Sequence, residues 1–356
     1  MVKKSYSAIS LFSGAGGMDY GMEKAGIKPL VAVEIMKEAS STYRANFPET
    51  LLLNDDINNV MDELGAYKGS VDVVFGGPPC QGFSVAGKMD PNDERSKLIF
   101  TFLDVVELVS PKAFIMENVK ALGTLEKWAE VRKQYFSKAE SLGYNTLVLT
   151  TVATDFGVPQ KRERVFFIGI KDNDDPFFKV NLENILATEK HIAKSVRETL
   201  RPLGRAGTDK NPHTCTAKIT FATHPVMRKS PYAGMYFNGQ GRPIDVDGYS
   251  NTLPASMGGN KTPVVDEDYL YGDSTEDWMV SYHKKLLEGE RPVFEEAPHN
   301  LRRLTIKEAA KLQTFPDDYV WEGSNGKIYT QIGNAVPCLL AEAIGKTVVT
   351  YLSMQS

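Results

Sequence analysis

Short apolar segments alternate with amphipathic segments along the first half of the chain. Between two predicted strands, SKLIFTFLDVVELVS places apolar residues such as Leu98, Phe102 and Val106 near the spacing of one helix face. Alternating strands and helices are typical of an open sheet covered on both sides. The pattern therefore predicts an α/β fold with a parallel sheet and helices on both faces. The predicted strands are YSAISLF, LVAVE, LLLNDD, VDVVFGG, KAFIMEN and NTLVLTTV.

Local signals place several of the helix ends. Gly26 follows the first predicted helix and is placed to end it, because glycine accepts the left-handed backbone of a helix C-terminus. Pro48 stops the helix through KEASSTYRANF. Thr305 and Glu308 form a Thr-x-x-Glu capping box at the start of LTIKEAAKLQTFP. The tail, VPCLLAEAIGKTVVTYL, predicts a last amphipathic helix.

The alternation is lost after about Lys171. Residues 200–300 are rich in Pro, Gly, Asn and Thr and show no sustained period, which is typical of turns and short strands. We therefore predict three segments along the 356 residues. They are a first α/β domain over 1–180, a smaller irregular strand-and-loop domain over 181–300, and a return segment over 301–356 that completes the first domain.

Charge is distributed unevenly along the chain. The net charge is −4, but the segment 191–262 holds ten Lys or Arg against four acids, a balance of +6 that leaves −10 for the rest. Such segregation can give an acidic protein a local positive face that suits nucleic acid. On charge alone, a solvated basic surface is the simpler interpretation.

The cysteines and the N-terminus indicate the compartment. Cys80, Cys215 and Cys338 are far apart and form no Cys-x-x-Cys pair, so neither a metal site nor a disulfide framework is predicted. The N-terminal residues lack the apolar core of a signal peptide, and we find no apolar run that we expect to span a bilayer. We expect a cytoplasmic protein with reduced thiols.

The glycine loop LFSGAGGMDYG lies at the end of a predicted strand and opens a helix. Gly14, Gly16 and Gly17 permit a tight turn and let a ligand approach the backbone. An ordinary strand-to-helix turn would also explain these glycines. The dinucleotide fingerprint requires Gly or Ala at position 19, where this chain has Asp19, which argues against a pyrophosphate.

Two further elements favour an adenosine-containing cofactor. Glu34 closes the next strand, twenty residues after Gly14, where an acid can accept hydrogen bonds from ribose hydroxyls. Asp56 and Ile57 follow the third strand, where one polar and one apolar contact could hold adenine. Together with the glycine loop, these residues predict a nucleotide-like ligand at the carboxyl edge of the sheet.

The segment VDVVFGGPPCQGFSVAGK ends a predicted central strand with a thiol. Pro78 and Pro79 fix the backbone before Cys80, and Gly76 and Gly77 leave room for a bound molecule. A structural cysteine normally lies inside an element and packs as a small hydrophobe. Because Cys80 lies beyond the strand, at the edge where ligands bind, a nucleophile is the better interpretation.

With these motifs in view, the chain resembles the DNA (cytosine-5)-methyltransferases of bacterial restriction–modification systems. The resemblance covers nearly the whole length except about 180–300, and the motifs occur in the order of that family. It implies a Rossmann-like S-adenosylmethionine-dependent methyltransferase sheet, with the irregular segment as a target-recognition domain. The matching segments are LFSGAGG, DVVFGGPPCQGFS, FIMENV, QKRERVFFIGI, RRLTIKEAAKLQTFPDDY and QIGNAVP.

The resemblance also implies the chemistry. The Cys80 thiolate would attack C6 of a cytosine flipped out of the duplex, so that C5 can take a methyl group from S-adenosyl-L-methionine. Glu117 would hold N3 and the exocyclic amine of the base. Arg164 would contact the base carbonyl, and Arg162 would support Glu117 or Cys80.

The family's cofactor contacts carry over onto the glycine loop, the next strand ends and the last motif. One departure concerns Met36, since the family often has a second acid at that place. The expected cofactor-binding residues are Phe12, Ser13, Gly14, Ala15, Gly16, Gly17, Glu34, Ile35, Asp56, Ile57, Gly77, Pro79, Leu98, Asn334 and Ala335.

DNA contacts are expected from two regions. The segment from Phe83 to Arg95 resembles the family's mobile loop that closes on DNA, and the basic segment of the irregular domain carries residues that reach phosphates and base edges. Each of these residues would also suit an ordinary surface. The expected DNA contacts are Ser84, Ala86, Lys88 and Arg95 in the loop, and Arg228, Lys229, Arg242, Asn260 and Lys261 in the irregular domain.

Three other functions share parts of these motifs. An RNA cytosine methyltransferase would use the same catalytic core, a nicotinamide-dependent oxidoreductase would share the nucleotide-binding half, and an inactive relative would keep only DNA binding. The large central domain argues against the first, the Pro-Pro-Cys loop against the second, and the presence of every catalytic residue against the third. We therefore expect a monomeric, nucleoid-associated bacterial enzyme acting on double-stranded DNA, with a cognate restriction endonuclease that reads the same site without stable association.

Overall fold

The computed structural model describes residues 5–79, 94–291 and 296–355. The strands in those residues are β1 (Tyr6–Leu11), β2 (Ile27–Val33), β3 (Leu51–Leu53), β4 (Val73–Gly76), β5 (Ala113–Val119), β6 (Tyr144–Val152), β7 (Gln160–Lys161), β8 (Glu163–Lys171), β9 (Phe221–Val226), β10 (Met235–Phe237), β11 (Ser250–Asn251), β12 (Val264–Asp266) and β13 (Leu301–Arg303). The α-helices are α1 (Gly17–Ala25), α2 (Lys37–Asn46), α3 (Met61–Gly65), α4 (Glu94–Val109), α5 (Lys120–Thr124), α6 (Ala129–Ser141), α7 (Phe178–Thr188), α8 (Val196–Leu200), α9 (Glu267–Tyr271), α10 (Trp278–Leu287), α11 (Ile306–Leu312), α12 (Asn325–Asn334) and α13 (Cys338–Met354).

The chain divides into two compact units. The first unit comprises Met1–Phe156, Glu163–His191 and Val336–Ser356, and the second comprises Gly157–Arg162 and Ile192–Ala335. This division differs in its bounds from the three predicted segments, because residues 301–335 fall into the second unit. β13 pairs there with β12 in antiparallel register, which ties the start of the predicted return segment to the irregular part of the chain.

A seven-stranded sheet forms the centre of the first unit, in the order β3-β2-β1-β4-β5-β8-β6. All its neighbouring pairs are parallel except those of β8, which runs antiparallel to both β5 and β6. β8 therefore departs from the parallel sheet that the sequence predicts. The physical reason is the short connection from β6 to β8, since a parallel neighbour needs a crossover of about a dozen residues or more. The predicted Rossmann-like α/β sheet is confirmed.

Helices cover both faces of this sheet, as predicted. Ile9 and Leu11 of β1 belong to a buried cluster with side chains of α3, α4 and α6. Side chains alternate along a strand, so Tyr6 and Ser10 point to the opposite face. There α13 lies close to α1, since a Cβ at Gly21 of α1 would be only 2.3 Å from the carbonyl oxygen of Cys338. The tyrosine hydroxyl of Tyr6 lies 3.4 Å from Ser353 Oγ in α13.

Most of the predicted helix ends agree with the structure. Gly26 ends α1 in the left-handed conformation with φ 96°, and α2 ends two residues before Pro48. The Thr305–Glu308 capping box at the start of α11 is formed in both directions. The longer helices α6, α7, α10 and α12 and the short helices α3, α5, α8 and α9 were not predicted. The signal for α10 is Asp277, whose carboxylate accepts from Met279 N, followed by buried residues at helical spacing.

The second unit is built from short elements. β9 pairs with β10 and β12 pairs with β13, both antiparallel, while β11 pairs with β7 in parallel. A small buried cluster that includes Phe221, Tyr236 and Met279 supports the β9–β10 hairpin. The predicted irregular, strand-and-loop character of this region is confirmed.

One stretch has the length and composition of a membrane span. It runs over Asn325–Met354, and 67% of its most apolar window is buried inside the structure. Helices that form the core of a globular protein pass the same test. The sequence analysis expects no such run, so that expectation is wrong by length and composition; most of the apolar window is buried, as in a core helix.

Candidate active site

The glycine loop after β1 is held in an unusual backbone conformation. Gly14 and Gly16 have φ of 56° and 85°, and Phe12, which is not a glycine, has φ 56°. Left-handed backbone at a residue with a side chain costs energy and is often found at ligand sites. The loop is fixed to the neighbouring strand because Ser13 N donates to Val33 O at 3.0 Å. The predicted strand-to-helix turn is therefore a strained one.

Glu34 connects the end of β2 to the glycine loop. Its Oε2 accepts from Gly14 N at 2.8 Å and its Oε1 accepts from Met36 N at 2.7 Å. Burial raises the pKa of Glu34, while these backbone hydrogen bonds oppose the rise. A carboxylate oxygen has two lone pairs, so each oxygen can accept one further hydrogen bond. Glu34 is therefore positioned to take the hydroxyl groups of a ribose.

Asn54 is a contributor to this edge that the sequence analysis missed. It follows β3 directly, and its Nδ2 donates to Glu34 O at 2.7 Å and to Ile35 O at 3.2 Å. These two bonds hold the backbone after β2 against the end of β3. Its position in the sequence could have indicated this role, since polar residues that directly follow a strand often stabilise the turn there.

The expected adenine contacts differ in their exposure. Ile57 is only 4% exposed and packs into the hydrophobic core beside the sheet, so its side chain is not accessible at the carboxyl edge of the sheet. Ile35, by contrast, is 63% exposed, which is unusual for an isoleucine. Asp56 accepts from Asn58 N at 2.9 Å and caps a short 3₁₀ turn. Leu98 is half-buried against the same core.

The backbone after β4 is packed tightly against its neighbours. A Cβ at Gly76 would be 2.1 Å from Leu11 O, so only glycine fits there, and a Cβ at Gly77 would be 3.2 Å from Glu117 Oε2. The carbonyl oxygen of Pro78 accepts a hydrogen bond of 3.3 Å from Asn118 Nδ2. Thus Gly77 and Pro78, which lie shortly before Pro79 and Cys80, contact the end of β5. Cys80 itself lies outside the described residues.

Glu117 and Arg164 form an ion pair at this edge. Arg164 Nε lies 2.7 Å from Glu117 Oε1, and the two side chains are 14% and 11% exposed. Because β8 is antiparallel, its first residues lie beside the last residues of β5, with Arg164 opposite Val119. The resemblance implies that Arg164 contacts the base carbonyl and that Arg162 supports Glu117 or Cys80. The structure brings Arg164 onto Glu117.

Three other expected site residues belong to the second unit. Arg162 is 2% exposed, and its Nη1 donates to Gly333 O at 3.2 Å. Asn334 ends α12 and is exposed, and Ala335 follows it with its N–H bonded to Gln331 O. Their expected contacts with substrate and cofactor stay predictions.

The two cysteines that the structure describes are not placed as nucleophiles. Cys338 is 2% exposed at the start of α13, and burial raises the pKa of its thiol, which keeps it unreactive. Cys215 is half-buried, with Sγ 3.6 Å from Thr262 Oγ1. The environments of Cys215 and Cys338 thus leave the assignment of Cys80 as the reactive thiol in place.

The expected DNA contacts fall into several groups. Ser84, Ala86 and Lys88 lie outside the described residues, and of Arg95 only the backbone, in the first turn of α4, is described. The other five are exposed and belong to the second unit, and among the described residues their cations form no ion pair. They are Arg228, Lys229, Arg242, Asn260 and Lys261.

The β9–β10 hairpin divides these five residues into two sets. Arg228 and Lys229 lie in its loop, between Val226 and Met235. Arg242 follows the other end of β10 and lies beside Asn260, since Gly241 N donates to Asn260 O at 3.2 Å. A three-residue strand separates its two ends by about 10 Å.

Asp19 is a buried acid that the sequence analysis considered only as a departure from a fingerprint. It is fully buried in the first turn of α1, directly after the glycine loop, and Tyr43 donates to its Oδ1 at 2.8 Å. Burial raises the pKa of Asp19 to about 7, although hydrogen bonds from neighbouring hydroxyls oppose the rise. Asp19 therefore links the glycine loop to α2 through a group that titrates near neutrality.

Comparison with known proteins identifies the family of the chain. The family model described as C-5 cytosine-specific DNA methylase matches residues 6–350. The chain is 33% identical to the type II methyltransferase M1.HphI of Haemophilus parahaemolyticus, over 97% of this chain and 87% of that protein. It is also 33% identical to the type II methyltransferase M.PspPI of Psychrobacter sp., over 98% of this chain and 80% of that protein.

Solved structures share the fold. The Dnmt2 methyltransferase of S. pombe superposes with a TM-score of 0.67 over 99% of this chain and all of that chain, at 17% identity. The methyltransferase EhMeth of Entamoeba histolytica gives a TM-score of 0.68 over 98% of this chain and 99% of that chain, at 16% identity. With the family match over nearly its whole length, the chain belongs to the C-5 cytosine-specific DNA methylases and is a DNA (cytosine-5)-methyltransferase.

Proposed function

We propose that the protein methylates C5 of a flipped-out cytosine within a short, specific sequence of double-stranded DNA, through a covalent bond between Cys80 and C6 of the base. The observation that carries this proposal is the arrangement at the ends of β4 and β5. The Glu117–Arg164 ion pair lies one strand away from the fixed Pro78–Pro79 turn, and Cys80 follows that turn directly.

The residues at the sheet edge suit S-adenosyl-L-methionine as the cofactor. Glu34 offers acceptors to a ribose, Ile35 exposes an apolar surface suited to adenine, and the left-handed backbone at Gly14 lets a ligand approach closely. S-adenosyl-L-methionine supplies an electrophilic methyl group when it is bound. The loop carries no lysine or arginine from Phe12 to Tyr20, which agrees with a cofactor that has no phosphate.

The base is activated by two groups of this chain. Unmodified C5 of cytosine is a weak nucleophile, and addition of the Cys80 thiolate to C6 gives C5 the character of an enamine carbon. Glu117 holds N3 and the exocyclic amine, which favours electron withdrawal toward N3 as the thiolate adds. After C5 has gained the methyl group, it loses its proton to a base and the Cys80 sulfur is eliminated, which restores the aromatic ring.

Arg164 orients Glu117 in this scheme. Its Nε holds Glu117 Oε1, while its Nη1 donates to the carbonyl oxygen of Glu163 at 2.7 Å, which fixes the guanidinium plane. Glu117 Oε2 faces the backbone of Gly77. The ion pair thus sets the direction in which the carboxyl group meets the base.

The biological role follows from the relatives. M1.HphI and M.PspPI bear the name of type II methyltransferases. We propose that this protein likewise marks a short DNA sequence in a restriction–modification system, where the mark protects the site from a cognate endonuclease. In this proposal the methyltransferase and the endonuclease each recognise the DNA sequence independently, so they need no stable association.

The test is to sequence 5-methylcytosine in the DNA of a host that expresses the protein. We expect one short motif to be methylated by the parent protein and by Cys215→Ala, which serves as the matched cysteine control, and no methylation by Cys80→Ala. Methylation that survives in Cys80→Ala would contradict the assigned nucleophile. The absence of any methylated motif with a folded parent protein would contradict the proposed function.

A further inference from the structure

A buried hydrogen bond joins the two helices that begin at the carboxyl edge of the sheet, next to the glycine loop. Tyr43 of α2 donates to Oδ1 of Asp19 in α1 at 2.8 Å, and both side chains are fully buried. We call this contact the Asp19–Tyr43 bond. Since neither side chain is exposed at the edge, an effect of the bond on a ligand acts through the segments that it connects.

The Asp19 end of the bond is attached to the glycine loop. Gly16 is the N-cap of α1, and Asp19 lies in the first turn of that helix. The turn is closed by backbone hydrogen bonds, because Tyr20 N donates to Gly16 O at 2.9 Å and Gly16 N donates to Ser13 O at 2.9 Å. The position of Asp19 therefore fixes the position of the end of the glycine loop.

The Tyr43 end of the bond is attached to the segment that holds Glu34. Ser40 of α2 donates its hydroxyl hydrogen to Glu34 O at 3.3 Å, and Ser40 N donates to Met36 O at 2.9 Å. Residues three apart lie on the same side of a helix, so Ser40 and Tyr43 face inward together. Both are fully buried. A shift of α2 therefore moves the backbone of Glu34.

The same two segments also meet directly at the edge, where Gly14 N donates to Glu34 Oε2 at 2.8 Å. A ligand that bonds to Glu34 competes for this carboxylate, and so does water. The Asp19–Tyr43 bond lies beneath the edge, where neither ligand nor water reaches it. It is therefore the contact between the two segments that persists whether or not Glu34 is occupied.

The chemistry of the pair suits the control of geometry better than the gain of stability. Burial raises the pKa of Asp19, and hydrogen bonds from Ser10 and Tyr43 only partly oppose the rise. Two apolar side chains of similar volume can hold helices together without burying a carboxyl group. A hydrogen bond, in contrast, requires a narrow range of distance and direction. The pair thus fixes how α1 and α2 lie relative to each other.

We propose that Asp19 and Tyr43 are positioning residues for S-adenosyl-L-methionine, whose hydrogen bond holds the glycine loop and Glu34 at the spacing that the cofactor requires. The inference rests on the proposed function and deepens it by naming residues outside the cofactor contacts that set the affinity. Without the bond, the two segments have the required spacing for a smaller fraction of the time, and the apparent affinity falls by that fraction. The net contribution of one hydrogen bond limits the loss to about two- to tenfold.

The first test compares two tyrosine variants by isothermal titration calorimetry of the full chain with S-adenosyl-L-methionine. Tyr43→Phe removes the hydroxyl group and keeps the ring, which stacks on Phe47 with centroids 4.5 Å apart. We expect the Kd to rise by about two- to tenfold. The rate of methyl transfer at saturating cofactor should not change, because the bond contacts no reacting atom.

The matched control is Tyr144→Phe in the same unit. Tyr144 is buried and donates to Pro111 O at 2.6 Å, and it lies in β6, the edge strand at the opposite end of the sheet from β2 and β3. This variant also loses one buried hydrogen bond, so urea denaturation should show a loss of stability similar to that of Tyr43→Phe. Its Kd for the cofactor should equal that of the parent protein.

The second test asks whether the effect depends on the bond itself. Asp19→Asn keeps a side-chain oxygen that can accept from Tyr43, whereas Asp19→Ala does not. We expect Asp19→Asn to keep the parental Kd and Asp19→Ala to raise it. Adding Tyr43→Phe to Asp19→Ala should raise the Kd no further, because two substitutions that remove the same bond are not additive.

Two kinds of result would overturn the inference, and they separate it from the proposed function. If the parent protein binds the cofactor and methylates DNA, while folded Tyr43→Phe keeps the parental Kd or shows no larger rise than Tyr144→Phe, the bond does not position the cofactor and the proposed function stands. If the folded parent protein binds no S-adenosyl-L-methionine and methylates no DNA, both fail. Should Asp19→Ala not fold, Tyr43→Phe, Tyr144→Phe and Asp19→Asn still decide.

Discussion

The sheet edge of the first unit and the loops of the second unit position their charged side chains in different ways. At the sheet edge, backbone groups at strand ends do most of the positioning: Glu34 is held by two backbone N–H groups, and Glu117 lies between Gly77 and Arg164. In the second unit a single side chain, that of Arg303, donates hydrogen bonds to backbone carbonyl groups of loops that have little regular structure.

The difference teaches where rigidity comes from in each unit. Parallel strands bring their carboxyl ends to one edge whatever the loops contain, so the edge is fixed by the sheet. The loops of the second unit have no sheet of comparable size, and a buried arginine with several donors replaces it. We expect substitutions at the sheet edge to affect catalysis, and substitutions in the loops of the second unit to affect stability and DNA binding. Three variants test this contrast.

The largest effect is expected from Glu117→Gln at the sheet edge. The variant keeps the shape of the side chain but removes the group that can exchange a proton with N3, which should lower the rate of methyl transfer by about 10²- to 10⁴-fold. Cofactor affinity should not change, since Glu117 lies outside the glycine loop. Methyl transfer from labelled S-adenosyl-L-methionine to the recognised duplex measures the rate.

The control for this variant is a second acid near the same edge. Glu163 pairs with Lys120 at 2.6 Å, and both side chains are nearly half exposed. Glu163→Gln should leave the rate within a small factor of the parent, because exposed ion pairs contribute little. Equal losses in both variants would mean that the edge responds to any removed charge and that Glu117 has no special part.

The next effect is expected from Glu308→Gln in the second unit. Glu308 is fully buried and holds Arg302 through both carboxylate oxygens, so the variant leaves a buried guanidinium with one acid fewer. Breaking such a pair costs about 3–5 kcal/mol in the free energy of unfolding. Urea denaturation measures it, with Glu288→Gln, from the exposed Lys284–Glu288 pair at the C-terminal end of α10, as the control. A loss no larger than that of the control would contradict the contrast between the two units.

A smaller, pH-dependent effect is expected from Asp19→Asn in the first unit. The pKa of Asp19 is about 7 in the folded protein and near 3.8 in the unfolded chain. The folded state therefore binds more protons between these values, and the free energy of unfolding falls as pH rises through that window, by at most roughly 4 kcal/mol. Above about pH 7 the contribution is lost and no longer changes.

Asp19→Asn should remove this dependence, because asparagine does not titrate. We expect its stability, measured by urea denaturation from pH 4.5 to pH 8, to be flatter than that of the parent and to exceed it most at pH 8. Parallel profiles for the two proteins would show that Asp19 has an ordinary pKa in the fold. The comparison with Glu308 is direct, since both acids are fully buried and only Glu308 has a cation.

Much of the first unit could be predicted from the sequence because its signals are local. Strand ends, helix ends at Gly26 and near Pro48, and the capping box of Thr305 and Glu308 each depend on a few neighbouring residues. The antiparallel direction of β8 could not be predicted in this way, since the residue pattern of a strand does not indicate its direction relative to its neighbours. It follows from the length of the connection and from pairing with β5 and β6.

The site was predicted in its residue types and less well in its pairings. The motif order brought Glu117 and Arg164 to attention, but the partner of Glu117 depends on the register of β5 and β8. Asn54 and Asp19 were missed as site contributors because their contacts are tertiary. The environment of Arg303 was the hardest to predict. Its acceptors are backbone carbonyl groups of loops that are distant in sequence, and any residue type could supply such a carbonyl group.

The central claim is that the sulfur of Cys80 bonds to the pyrimidine ring during methyl transfer. It is tested most directly with a duplex that carries 5-fluorocytosine at the methylated position of the motif identified by sequencing, because fluorine at C5 cannot leave as a proton does. With S-adenosyl-L-methionine present, we predict a denaturation-resistant protein–DNA complex whose crosslinked peptide contains Cys80. A crosslink at another residue, or none while unmodified DNA is methylated normally, would contradict the account.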